Sequence, residues 1–166
     1  MDRKQKGFSL IELLIVVAII LIIAAIAIPN LLKSRMAANE SSAVGSLRTI
    51  NTSLVTFAST YPDTGFPASL AQLTSPGNSC SAGGLLDPTM ANDVFSKSGY
   101  DFAYTLTGGD GACPAASPPV PGGDYTVSAG PQVPTKTGIR YFFTDSSAVI
   151  YEGTTAGEAS GMTNPL

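Results

Sequence analysis

The chain has 166 residues, 44% of them hydrophobic and 13% charged, with a formal net charge of -3 and neither histidine nor tryptophan. That length allows one modest domain plus an extended element, and the lack of histidine removes the commonest general base and the commonest transition-metal ligand, so no Ser/His/Asp or Cys/His set can exist. From Pro62 onward, Asp63, Asp87, Asp93, Asp101, Asp110, Asp124, Asp145, Glu152 and Glu158 face only Lys97, Lys136 and Arg140, a balance that argues against a general electrostatic grip on nucleic-acid phosphates.

Met1 to Gly7 carries Arg3, Lys4 and Lys6. Leu13 to Ile28 then contains only Leu, Ile, Val and Ala. With Phe8 to Glu12 added, the segment reaches the ~20 residues a helix needs to cross a hydrocarbon core. Basic charge before such a span holds that end in the cytoplasm and sends the remainder outward. The apolar run exceeds an ordinary signal-peptide core, and no small-x-small cleavage site closes it. Glu12 is the one acid at its mouth. An ionisable group at such a place is functional by default, with a partner to be found; an acid near enough to the interface to stay hydrated is the alternative.

Pro29 removes one backbone hydrogen bond and should bend the helix. Helical chemistry continues beyond it. Val44, Leu47, Ile50, Leu54, Phe57 and Ala58 recur at three- and four-residue steps and make one apolar stripe, with Arg48, Asn51 and Thr52 facing elsewhere. The pattern predicts a helix from Phe8 to Ser59, apolar all round in its first half and amphipathic in its second. Tyr61-Pro62 ends it.

Pro67 to Leu73 reads as one short helix with Leu70 and Leu73 buried, Thr74 to Gly84 as loop, and Pro88 to Asn92 as a helical turn within a weakly patterned stretch. Strands are expected at Tyr100–Leu106, Tyr125–Ala129, Ile139–Thr144 and Ala148–Glu152, the last two joined by a tight turn at Asp145-Ser146-Ser147. Gly108-Gly109-Asp110-Gly111 turns the chain, Pro114 to Gly123 is a Pro/Gly loop, and Gly153 to Leu166 reads as a polar surface tail. The expected fold is α+β: a long N-terminal helix packed by its lower half on a small antiparallel sheet of three or four strands. Residues 1–7 form a leader, 8–60 the long helix and 61–166 a globular head. Cys80 and Cys113 lack metal or redox spacing. In a head that faces an oxidising compartment they most simply form one disulfide, two unpaired thiols being the alternative. Asp101, Asp110 and Asp124 show none of the spacing of a calcium loop, and no metal or other cofactor is expected.

Lys4-Gln5-Lys6-Gly7-Phe8-Ser9-Leu10-Ile11-Glu12-Leu13-Leu14 resembles the processing site of the type IV pilin family, which includes pilus subunits and the pseudopilins of secretion machines. The likeness extends through Ala27-Ile28-Pro29-Asn30 and loosely to Leu54. It implies cleavage of the Gly7–Phe8 bond by a prepilin peptidase, N-methylation of Phe8 by the same enzyme, and pairing of Glu12 with the Phe8 amine of a neighbouring subunit. It further implies a single-pass precursor in the inner membrane, an inner-membrane assembly machinery, and polymerisation of the chain with itself into a surface filament, a structural rather than an enzymatic role. A type II secretion pseudopilin and a minor, tip-located binding subunit are the alternatives. The sequence departs from the family in two ways. Many pilins have a glycine midway between the acid and the proline, where this chain has Ile20-Leu21-Ile22-Ile23, and many place their disulfide nearer the C-terminus.

Overall fold

In a computed structural model of the chain, the described residues are 8–74, 84–109, 123–161 and 164–166. The leader, Cys80, Cys113, Asp110 and most of the two expected loops lie outside them. The chain divides into two compact units, Met1–Arg35 and Met36–Leu166.

Helix α1 is assigned over Leu10–Thr60, with Pro29 inside it. In the first unit it has no core. Every large apolar side chain from Leu10 to Leu32 is exposed, among them Leu21 (63%) and Ile22 (64%). It is the one described helix long and apolar enough to cross a membrane.

The second unit is built differently. Ala43, Leu47, Ile50, Leu54 and Phe57 of α1 are all fully buried and share one core with the sheet residues Tyr100, Phe102, Tyr125, Val127 and Phe142. The sheet has five antiparallel strands in the order β1-β2-β3-β4-β5, namely Val94–Lys97, Tyr100–Thr107, Asp124–Pro131, Tyr141–Asp145 and Ile150–Gly153. Side chains alternate across β3, with Tyr125, Val127 and Ala129 inward, as the two-residue period of a half-buried strand requires. The short α2 (Ala71–Thr74) and a 3-10 turn (Pro88–Met90) close one end, supplying Leu73 and Met90 to the core.

Five expectations need correction. The sheet gains a strand, β1, in the stretch read as weakly patterned. Only Phe95 of its four residues is buried, too little alternation to announce a strand. Strand β4 starts at Tyr141 rather than Ile139, because the Ile139 and Arg140 N–H groups both donate to the Glu40 carboxylate at 2.9 and 3.3 Å instead of to a neighbouring strand. The short helix expected from Pro67 is confined to Ala71–Thr74, since the Leu70 N–H donates to Asp93 Oδ1; Leu70 and Leu73 are buried as expected. The tail contains a helix, α3 (Ala156–Ser160), started by a reciprocal capping box between Thr155 and Glu158. Beyond it Leu166 N–H donates to Ile150 O and Glu152 N–H to Asn164 O, covering the outer edge of β5. Asn51, finally, does not face away from the core. It is buried, donating to Thr144 Oγ1 at 2.9 Å and Ala148 O at 3.2 Å and accepting from the Tyr125 hydroxyl at 3.1 Å. That hydroxyl's pKa is pushed up to about 12, first by burial and then by the Asp145 charge.

The β4–β5 hairpin forms where expected, with Thr144 opposite Ile150 and the Ser147 N–H and hydroxyl both donating to Asp145 Oδ1. Gly138 is obligatory: a Cβ there would lie 2.1 Å from the Tyr100 hydroxyl oxygen, which is held against Arg140 O.

Candidate assembly site at the head of the helix

The first turn of α1 is written by Ser9-Leu10-Ile11-Glu12, a serine followed three residues later by glutamate, the signature of a helix start. The Glu12 carboxylate reaches back and accepts the Ser9 N–H at 2.9 Å, satisfying one of the backbone donors that the first turn leaves without an intrahelical partner. A negative charge there also faces the positive end of the helix dipole. Phe8, one residue earlier, is 85% exposed. Within the chain the Glu12 carboxylate is held by the backbone of residue 9, because at the third helical position it comes back to the capping residue. Among the described residues both ion pairs belong to Arg140, so Glu12 has a backbone donor but no cation. The Ser-x-x-Glu spacing is the signal for this cap; the sequence alone points instead to an intermolecular partner or to a hydrated interfacial acid.

Pro29 lies in α1 with Ile28 exposed beside it, and contributes no N–H to the helix ladder. Gly7, Cys80 and Cys113 fall outside the described residues.

A second polar cluster belongs to the head. Arg140 Nε donates to Glu40 Oε2 at 2.8 Å and its NH1 to Glu152 Oε2 at 2.6 Å. Burial pushes the Glu40 carboxyl up, but the Ile139 N–H, the Arg140 guanidinium and the Arg140 N–H outweigh it and hold its pKa below the usual glutamate range. A groove of about 320 Å³ beside Arg140 is lined by Glu152, Thr154, Glu158 and Asn164. Its charges are already engaged: Arg140 and Glu152 with each other, Glu158 with the Thr154 and Thr155 N–H groups. The cluster ties α1 to β4 and β5 and leaves no free base or nucleophile. Among the described residues no three potential metal ligands come together; Asp101 accepts from Gln132 and Asp124 from Ser146.

Residues 2–28 match the family model described as the prokaryotic N-terminal methylation motif. The N-terminal stretch of the chain thus carries a methylation motif. The chain is 64% identical over 39 residues to the type IV wide pilus major component PilA4 of Thermus thermophilus, covering 24% of this chain and 30% of that protein. It is 48% identical over 58 residues to the type IV major pilin protein PilA of Myxococcus xanthus, covering 35% and 26%. The type II secretion system core protein G of Dickeya chrysanthemi matches at 31% over 81 residues, covering 46% and 53%. The chain thus covers less than a third of the two pilins' own lengths and about half of protein G. No solved structure matches it.

Proposed function

We propose that the chain is the precursor of a type IV pilus subunit, cut between Gly7 and Phe8 by a prepilin peptidase, methylated at Phe8, and polymerised through α1 into a surface filament. The supporting observation is a helix whose first unit exposes apolar side chains on all sides and opens on an acid that no cation among the described residues pairs. Before assembly, lipid of the inner membrane covers that surface; in the filament, the helices of other copies do. Cleavage turns the Phe8 N–H into an ammonium, and the Glu12 carboxylate of a neighbouring copy is its counter-charge. In a water-poor helix bundle, leaving either group unpaired costs about 3–5 kcal/mol, so the pairing selects register. Ala24, Ala25 and Ala27 permit close helix approach. Pro29 loosens the helix at the membrane exit, and a Cys80–Cys113 disulfide staples a head with a small core by about 3–4 kcal/mol on the chain-entropy model.

A secretion pseudopilin is the competing reading, favoured by the longer stretch matched in protein G. Shearing the producing cells separates the two, since a pseudopilus stays within the envelope. Filaments in the sheared fraction whose subunit begins with methylated Phe8 by mass spectrometry are the expected result; assembled subunits that begin at Met1 would overturn the proposal.

A further inference from the structure

The exposed side of α1 in the head is unusual for a helix facing water. Between Glu40 and Asp63 its only charged residue is Arg48. Thr49, Thr52, Thr56, Ser59 and Thr60 each return their hydroxyl hydrogen to the carbonyl four residues earlier, at 2.7–3.0 Å. The side chains on this face therefore offer few free donors to water. Gly45 sits on the same exposed side, and a Cβ there would meet nothing within 4 Å; among the described residues no contact accounts for a residue that weakens a helix interior.

Arg48 stands between two shallow grooves. One of about 440 Å³ runs past Asn51, Thr52, Val55, Thr56 and Ala148, and one of about 310 Å³ past Thr49, Ser53 and Leu85. Its guanidinium makes no ion pair, both pairs among the described residues being formed by Arg140. The head has the converse feature. Seven of its described carboxylates accept a hydrogen bond from their own chain. The eighth, Asp63, is exposed just past the end of α1 and accepts none.

We propose that the exposed face of α1 around Arg48 is a docking surface for the acidic head of a second copy of this chain, with Asp63 of that copy as the counter-charge of Arg48. Charge complementarity selects the occupant: each copy that brings Arg48 also brings a head with nine acids against three bases. The inference rests on the pilus-subunit reading and assigns to it a lateral contact separate from the Glu12 site. An ion pair flanked by grooves that another head fills is shielded from water and salt, so reversing one partner sets like charges together in a confined space.

The test uses the full-length chain in filament-producing cells, with filaments counted in the sheared fraction and processed subunit measured in the membrane. Arg48→Glu and Asp63→Lys should each lower filament number by about tenfold or more at unchanged levels of processed subunit, and the double variant should restore filaments. Arg48→Lys should assemble normally. Arg48→Ser, which adds no new charge, should give an intermediate loss and guards against a folding defect peculiar to the reversal. Normal filament number with Arg48→Glu, or a double variant no better than either single one, overturns the inference and leaves the pilus reading intact. Absence of filaments from the unaltered chain overturns the pilus reading and this inference with it.

Discussion

Leu21 and Ile22 belong to the same helix as Leu47 and Ile50, yet the first two are more than 60% exposed and the second two are fully buried. Residue type cannot explain the difference; periodicity does. Around residue 50, apolar positions recur at helical spacing among polar ones, so one stripe is buried in the head together with Ser46, Asn51 and Ser53, while Arg48, Thr49 and Thr52 meet water. Around residue 21 no polar position interrupts the run, and a helix apolar all round can be covered only by lipid or by other helices. The lower stretch is matched to its own chain, the upper to surroundings the chain does not contain. Burying one Leu or Ile side chain is worth about 1.5–3 kcal/mol, so the uncovered run represents a large driving force for insertion and association.

The sharpest way to break the comparison acts on the upper stretch. Glu12→Gln keeps an oxygen for the Ser9 N–H, so the cap should survive while the charge is lost. Processed monomer should accumulate in the inner membrane with few or no filaments in the sheared fraction. Filaments of normal number and length would return Glu12 to the role of a hydrated interfacial acid. Next comes Ile50→Ala, which leaves a cavity under the sheet and should destabilise the head by about 2–5 kcal/mol. Ile22→Ala, in the upper stretch, should leave the head's melting temperature unchanged in detergent, and a matching shift would mean that the two stretches share a core.

Glu40→Gln should cost about 1.5–3 kcal/mol, the scale of hydrogen bonds to a charged group. The effect depends on pH with a defined sign. Because the folded state holds the Glu40 carboxyl below its usual pKa, its stabilisation is complete above the unfolded value of about 4.3 and fades as pH falls through the folded one. Denaturant melts from neutral pH downward should therefore converge for the two proteins at the acid end; a constant gap at every pH would rule out this linkage. The smallest effect is Thr155→Ala, which removes the cap of α3 and should cost about 1 kcal/mol. Hydrogen exchange at the Glu158 amide, which donates to the Thr155 hydroxyl, should report it directly.

The long helix was legible because Val44 to Phe57 keep their period for several turns and Leu13 to Ile28 leave nothing else to choose. Four of the five strands were expected, that at Tyr100 through its two-residue alternation and the last two through the turn at Asp145-Ser146-Ser147. Strand β1 did not, since one buried phenylalanine sets no period. Polar residues that face inward were the other blind spot. Asn51 and Glu40 interrupt the apolar stripe in the sequence, but in the fold each answers a specific donor or acceptor about a hundred positions away, Arg140 for Glu40 and Thr144 for Asn51. No local pattern encodes that. At the helix head the Ser9–Glu12 spacing was readable, yet a cap and an intermolecular acid are written with the same residues, and only the fold shows the carboxylate turned back on Ser9.

The sequential order of the five strands bears on how the head reaches its native state. Each strand pairs with its neighbour in the chain, so hairpins can close soon after their residues are available, as the low sequence separation of such contacts allows. The helix has no comparable shortcut. Its stripe from Leu47 to Phe57 is covered by Tyr100, Tyr125 and Phe142, all of which follow it by dozens of residues. If the chain reaches the outer side in order from its N-terminal span, this stripe arrives first and waits, with greasy side chains in water, until β4 has crossed. That interval is when sticking to other nascent chains is most costly. The stripe leaves that exposure only once Tyr100, Tyr125 and Phe142 have closed over it.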